Sequence, residues 1–232
     1  MTPLPHLRQC LPALCLIATG ALSRSLPAQG AVSGRVAVTE RPGEVTADIG
    51  NTVVYLIPTD GRTLRTATTK VPIAMNGKEF RPHVRVVTPG SAVEYPNQDP
   101  FSHNIFSTAP GAAFDLGTYP NGVSRAATFR KAGAFPIYCN IHSKMTAYVV
   151  VLPTPYHTMA GNDGRWTISG VAAGSYAVHV WHERAPEVVT PVTVPAAGLT
   201  DLATTLDARG FVAAAHKNKF GKEYTSTGKD RY

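Results

Sequence analysis

The sequence predicts an all-β protein, built from a β-sandwich and a second, smaller β unit. Short segments rich in β-branched and aromatic residues recur along the chain, and 20 Gly and 19 Pro interrupt them. The residue pattern also changes beyond Pro153, which indicates a second unit. A length of 232 residues permits one large domain or two small ones, so the number of units rests on the strand pattern.

Residues 1–28 are predicted to be a signal peptide. Arg8 precedes an apolar run from Cys10 to Leu22, and small residues follow up to Ala28. The run is too short for a membrane-spanning helix, and no later segment has enough consecutive apolar residues to cross a bilayer. We therefore expect a periplasmic or secreted protein with no transmembrane segment in the mature chain.

The first strands are expected at 32–39 and 52–57, on either side of a polar turn that contains Pro42 and Gly43. Seven further strands follow in quick succession, and this spacing is typical of a β-sandwich. We assign this sandwich to residues 70–153. Its strands are predicted at 70–75, 80–88, 92–96, 103–107, 126–130, 134–138 and 147–152.

The segment 154–207 carries a second strand–turn–strand pattern. Its residues resemble the second half of carboxypeptidase-regulatory-like, transthyretin-type sandwiches, and residues 33–36 and 53–56 resemble the first half. The resemblance implies a discontinuous sandwich of residues 31–57 and 154–207 into which the 70–153 sandwich is inserted. Two tandem units are the alternative. The residues that carry the resemblance are Asn162, Asp163, Gly164, Trp166, Ile168, Gly174 and Tyr176.

Cys139 is the only cysteine that remains once the leader is removed. A single thiol in an oxidising compartment has no disulfide partner and is open to oxidation unless something occupies it. A buried, inert cysteine is the alternative interpretation. The neighbours favour a metal, because Cys139, His142 and Met145 recur at every third position and a tight loop can turn their side chains toward one point.

A fourth ligand is expected upstream at His103, which begins a strand after the turn at 97–100. Two imidazoles and a thiolate in a trigonal arrangement, with a weak axial thioether, form a site that handles copper in both oxidation states. Zinc also accepts Cys and His but gains little from a thioether. The sequence therefore predicts one copper ion held by His103, Cys139, His142 and Met145.

Residues 70–153 resemble the cupredoxin family. The Cys-x-x-His-x-x-Met spacing is similar to the short ligand loop of its amicyanin type, and the approach to the first histidine is similar as well. The resemblance implies a Greek-key sandwich with one type 1 blue-copper site. His103, Cys139 and His142 would be its equatorial ligands, Met145 its axial ligand, and Asn104 a residue that ties the two ligand loops together. The upstream residues in question are Phe80, Pro82, Gly90, Val93, Asn97, Asp99, His103 and Asn104.

Such a site implies a carrier of single electrons between redox protein partners, rather than an enzyme. We expect the edge of His142 to serve as the electron port, ringed by Pro100, Phe101 and Ile141. Two alternatives remain, a copper-binding or delivery protein and a binding or adhesion module with a structural copper. The aromatic residues expected to shield the site are Phe80, Tyr95, Phe135 and Tyr138.

The formal net charge is +7, and removing Arg8 and Arg24 with the leader leaves about +5. Much of this charge lies in the basic C-terminal tail, 208–232, which we expect to be solvated, with a docking site as the alternative. Reversing its charge should alter docking and leave the site unaffected. Neither a nucleic-acid-binding motif nor a nucleophile elbow or phosphate loop is present in the sequence. His179 and His182 should point to opposite faces of one strand and so bind no shared metal.

Overall fold

The computed structural model describes residues 29–213 and 216–224. The predicted leader, 1–28, lies outside these ranges. Within them the regular structure is β apart from a 3-10 turn at Ile49–Asn51, which confirms the all-β prediction, and no helix is long and apolar enough to cross a membrane. The strands are β1 Gln29–Thr39, β2 Val53–Pro58, β3 Lys70–Pro72, β4 Ala74–Met75, β5 Phe80–Arg81, β6 Val84–Val87, β7 Ser91–Pro96, β8 His103–Ser107, β9 Phe114–Tyr119, β10 Ser124–Phe129, β11 Gly133–Cys139, β12 Thr146–Val151, β13 His157–Met159, β14 Arg165–Ala172, β15 Gly174–His182, β16 Ala185–Val194 and β17 Leu199–Asp207.

One pair of sheets is formed by strands between residues 70 and 151. A five-stranded sheet has the order β6-β12-β11-β8-β9, and a three-stranded sheet has the order β10-β7-β3. Alternate residues of β11 are buried, as expected for a strand with one face on a core. The core between the sheets includes Ile73, Phe80, Val93, Tyr95, Ile105, Phe129, Phe135, Ile137, Cys139, Met145 and Val149.

β4 and β5 pair as a small two-stranded sheet, and the other strands form two further sheets around a separate core. The orders of these two further sheets are β14-β1-β17 and β13-β2-β15-β16, so the two strands up to residue 58 pair with strands from residue 157 onward. A discontinuous unit requires pairing of this kind. The predicted boundaries 31–57, 70–153 and 154–207 themselves stay a prediction. This second core includes Val32, Leu56, Trp166, Ile168, Tyr176, Val178 and Leu206.

A third, smaller apolar cluster joins the two pairs of sheets. Val53 of β2 is buried in it together with Val84 of β6 and Val150 of β12. The ring of Tyr148 lies 5.5 Å from that of Trp181, edge to face. Side chains of the flanking strands β2 and β15 therefore pack on the outer face of the five-stranded sheet.

An ion pair lies beside this junction. His83 Nε2 is 2.6 Å from Glu183 Oε1, and this hydrogen bond raises the pKa of His83 against the opposing effect of burial. A folded-state pKa above the unfolded value of about 6.5 stabilises the fold at low pH, and this stabilisation is lost as pH rises through the folded pKa.

We therefore expect Glu183→Gln to lower the free energy of unfolding at about pH 6 by up to about 1 kcal/mol, because His83 is charged there in the wild type. At about pH 9 the difference should shrink, since His83 is neutral in both proteins. Urea denaturation at the two pH values measures this. An equal difference at both would show that the charge of His83 contributes nothing.

Candidate metal centre

Two neighbouring strands bring His103 and Cys139 to one end of the five-stranded sheet. His103 is the first residue of β8 and Cys139 is the last residue of β11. The strands are antiparallel neighbours in which Cys139 lies opposite Ile105, so the start of one strand adjoins the end of the other. The strand ends that carry His103 and Cys139 therefore meet.

The segment after Cys139 forms a closed loop that carries His142 and Met145. The backbone N–H of Met145 donates to the carbonyl of His142 at 3.1 Å, and the N–H of Cys139 donates to the carbonyl of Met145 at 3.3 Å. These two hydrogen bonds turn the chain back on itself within a few residues. His142 is thereby held over the end of β11.

The three predicted equatorial ligands converge. Cys139 Sγ lies 3.5 Å from His103 Nδ1 and 3.7 Å from His142 Nδ1, and the two Nδ1 atoms are 3.2 Å apart. His103 and Cys139 are fully buried and His142 is half-buried. Among the described residues this is the one group of His, Cys, Asp or Glu side chains placed to share a metal ion.

Met145 is 1% exposed and belongs to the same apolar core as Cys139. Its backbone closes the ligand loop, and its side chain is packed on the sandwich side of the loop among the core residues. This location is compatible with an axial thioether. Its assignment as the fourth ligand stays a prediction.

A buried carboxylate holds the ring of His103 from behind. Asp99 Oδ2 lies 2.8 Å from His103 Nε2, and the Asp99 carboxylate also accepts hydrogen bonds from the backbone N–H groups of Gly77 at 2.6 Å and Lys78 at 3.1 Å. With Nε2 engaged by the carboxylate, Nδ1 of His103 faces the thiol. Partners of this kind orient metal-binding histidines in many metalloproteins.

The pKa shifts of this pair fix its charge state. Burial raises the pKa of Asp99, but hydrogen bonds from His103, Lys78 and Gly77 outweigh it and hold the pKa below the usual value. Burial lowers the pKa of His103 against the opposing effect of Asp99. The pair is therefore a carboxylate and a neutral imidazole. The Nε2–H···Oδ2 hydrogen bond then leaves the Nδ1 lone pair directed at the cluster.

Burial raises the pKa of the Cys139 thiol, while backbone N–H groups of Ile141, Asn104 and His142 lower it in part. The N–H of Ile141 donates to Cys139 Sγ at 3.5 Å. These N–H groups stabilise negative charge on the sulfur, but their effect on the pKa is smaller than the effect of burial. A cation beside the sulfur would be needed to complete ionisation, and its binding would release the thiol proton.

Asn104 connects the two ligand segments through its backbone. Its carbonyl accepts a hydrogen bond from Asn140 N at 2.8 Å, whereas its side-chain Nδ2 donates to Asp115 Oδ1 at 2.6 Å. The predicted tie between the two loops therefore runs through the main chain. The amide side chain links β8 to β9 instead.

The residues expected to ring His142 lie as follows. The centroid of the Phe101 ring is 5.3 Å from that of His142 and 5.3 Å from that of His103. Ile141 is 41% exposed and Pro100 is also exposed. Their role as an electron port stays a prediction.

Three of the four predicted shielding aromatics, Phe80, Tyr95 and Phe135, lie in the core that contains Cys139. The prediction was wrong for Tyr138, because side chains alternate along β11 and Tyr138 points to the opposite face, where it stacks on His216. His179 and His182 point to opposite faces of β15, as expected, and His182 is buried against the carbonyl of Asp48.

Solved structures that resemble part of this chain include cupredoxins. A purple cupredoxin from Nitrosopumilus maritimus is 20% identical, and the match covers 35% of this chain and 99% of that protein with a TM-score of 0.32. Amicyanin from Paracoccus versutus is 18% identical over 42% of this chain and 98% of its own, with a TM-score of 0.34. A copper(I) form of an amicyanin variant is 21% identical over 36% and 82%, with a TM-score of 0.34.

No protein-family model matches the chain, and no curated protein matches it significantly. The transthyretin-type resemblance of the flanking strands stays a prediction.

The donor set itself fits copper. One sulfur and two imidazole nitrogens make up the cluster, and no carboxylate is part of it. Hard cations such as magnesium or calcium prefer oxygen ligands, so this set disfavours them. Zinc would accept the same three donors.

Replacing Asp99 should weaken metal binding without removing a ligand. We expect Asp99→Asn to lower the Cu(II) affinity about 10- to 100-fold, because the amide lacks the negative charge that holds His103. Competition titration against a chelator measures the affinity. Glu79→Gln is the matched control, since Glu79 is exposed and its removal deletes the same charge nearby. Equal affinities for Asp99→Asn and wild type would exclude this role for the carboxylate.

Proposed function

We propose that this chain is an exported carrier of single electrons, with one type 1 copper ion held by His103, Cys139, His142 and Met145. The observation that carries the proposal is the convergence of Cys139 Sγ and the two histidine Nδ1 atoms at separations of 3.2, 3.5 and 3.7 Å. A copper ion bound by this set supplies reversible one-electron chemistry.

The surroundings of the cluster favour electron transfer because they restrict movement of the ligands. His103 and Cys139 are anchored in adjacent strands, and the loop that carries His142 is closed by two backbone hydrogen bonds. Asp99 fixes the orientation of the His103 ring. Ligands that shift little between oxidation states keep the reorganisation that accompanies electron transfer small.

The burial of Cys139 and His103 favours a carrier over a delivery protein. Both side chains are inaccessible to solvent, so an acceptor protein could approach the cluster only from the side of His142. We propose that His142, with Phe101, Pro100 and Ile141 at the surface around it, is where electrons enter and leave. These apolar side chains give a redox partner a dry contact at His142, and Lys78 and Lys144 lie beside them as a charged rim.

The proposal predicts an intense blue thiolate-to-copper absorption band when the protein is loaded with Cu(II). The band should vanish with dithionite and return on oxidation. Cys139→Ser should abolish it, because the hydroxyl group does not ionise to a comparable soft ligand. Ser143→Ala, in the same loop, is the matched control and should keep the band. A colourless Cu(II) form of the folded protein would refute the proposal.

A second prediction addresses the port. Ile141→Lys should slow electron self-exchange between two copies by about tenfold or more, because the added charges repel where two His142 edges must meet. Its blue absorption should stay unchanged. Val189→Lys is the control, since Val189 is 50% exposed on β16, in the flanking sheets. NMR line broadening of mixed oxidation states measures the rate, and equal slowing by both substitutions would exclude a port at Ile141.

A further inference from the structure

The C-terminal segment 216–224 lies against the strand end that carries Cys139. The expectation of a solvated tail is therefore wrong for His216, Lys219 and Tyr224, which are half-buried, whereas Lys217 and residues 220–223 are exposed. The Tyr224 hydroxyl donates to the carbonyl of Cys139 at 2.7 Å, and the backbone N–H of Lys219 donates to Asn140 Oδ1 at 2.9 Å. The first hydrogen bond reaches the peptide unit at which β11 passes into the ligand loop, and the second reaches the side chain of the next residue.

A closed circuit of hydrogen bonds ties this segment to both ligand-bearing strands. Lys219 Nζ forms an ion pair with Asp115 Oδ2 at 2.6 Å, and Asp115 Oδ1 accepts from the Asn104 side chain. The carbonyl of Asn104 in turn accepts from Asn140 N, whose side chain accepts from Lys219 N. The circuit joins β8, β9, the ligand loop and the C-terminal segment.

Aromatic packing holds the same segment against the outer face of the sheet. The His216 ring stacks on Tyr138 with centroids 4.3 Å apart and planes 21° from parallel. Tyr224 packs edge-on to His216 at 5.2 Å, and its hydroxyl is 3.3 Å from His216 Nδ1. Tyr138 directly precedes Cys139, so the stack covers the residue next to the thiol on the face opposite the metal cluster.

We propose that residues 216–224 form a strap that braces the metal centre from outside, with Tyr224 as its positioning residue. The strap holds the Cys139 carbonyl through Tyr224 and the Asn140 side chain through Lys219, on the side of the strand end that faces away from the core. Without it the Cys139 carbonyl and the Asn140 side chain lose these partners, and the start of the ligand loop is less restrained. The consequence for copper rests on the proposed function, whereas the bracing of Cys139 does not.

The bracing is tested without metal by the rate at which iodoacetamide alkylates Cys139, followed by mass spectrometry of the peptide that contains it. Tyr224→Phe removes one hydroxyl and should raise the rate about 2- to 10-fold, as one hydrogen bond permits. A chain ending at residue 213 should raise it by about tenfold or more, since it loses the whole strap. Lys219→Ala should raise the rate, and the charge-matched control Lys217→Ala should not, because Lys217 is exposed.

The effect of the strap on copper binding is measured as the rate at which a chelator removes Cu(I). This rate should rise among the variants in the same order as the rate of alkylation. Unchanged alkylation in both Tyr224→Phe and the shortened chain, with native circular dichroism, would overturn the strap. A wild-type protein that binds no copper, but whose Cys139 becomes more reactive when the strap is removed, would refute the proposed function and support the strap. If the wild type is blue, and its variants are alkylated and release copper at the wild-type rates, the strap is refuted and the proposed function is not.

Discussion

The pairing of β8 with β11 is the constraint on which the rest of the site depends. These strands run antiparallel at one edge of the core, and their register places Cys139 opposite Ile105, two residues after His103. A shift of one residue in this register would turn Cys139 to the outer face of the sheet, because side chains alternate along a strand. The apolar side chains of β11 that pack in the core, Phe135 and Ile137, fix the register and so place the thiol.

The free-energy cost of burying the polar side chains of Cys139, His103 and Asp99 has to be offset by local contacts. A thiol, an imidazole and a carboxylate lie together in an apolar core, where an unpaired polar atom would destabilise the fold by about 1–3 kcal/mol. Asp99 satisfies His103 and is itself satisfied by the backbone of Gly77 and Lys78. The Nδ1 atoms of His103 and His142 and the sulfur of Cys139 lie within 3.7 Å of one another, and a cation would compensate their mutual approach. The polar pairing therefore lies behind His103, and the sulfur and the two Nδ1 atoms face one another.

The residue types and their spacing were enough to predict the cluster, because three of the four residues follow one another closely in the sequence. Cys139, His142 and Met145 lie within one loop, and His103 begins a strand that follows a turn, so the residue types and a strand-end argument suffice. The role of Asp99 was missed, although its four-residue separation from His103 was visible, because that contact depends on how the turn at 97–100 folds against Gly77 and Lys78. The orientation of Tyr138 was misjudged even though alternation from Cys139 along β11 determines it.

The strap could not be predicted for a different physical reason. Residues 216–224 have no apolar period, and a basic segment without one is usually solvated. Here the segment is held by specific polar contacts at the end of a strand, where Cys139 and Asn140 have carbonyl and amide groups that the sheet itself does not pair. Such contacts carry no periodic signature, since each depends on where one strand happens to end.

From the sequence, the basic tail was expected to be solvated and to have no effect on the metal site. The hydrogen bonds of Tyr224 to the Cys139 carbonyl and of Lys219 to the Asn140 side chain connect them instead. An ion pair on the surface contributes little stability by itself. The Lys219–Asp115 pair differs because Asp115 also holds Asn104, whose carbonyl anchors the ligand loop. A change of charge at the surface can therefore reach the loop through two hydrogen bonds, and in this chain the outer side of the metal centre is built partly from its C-terminal segment.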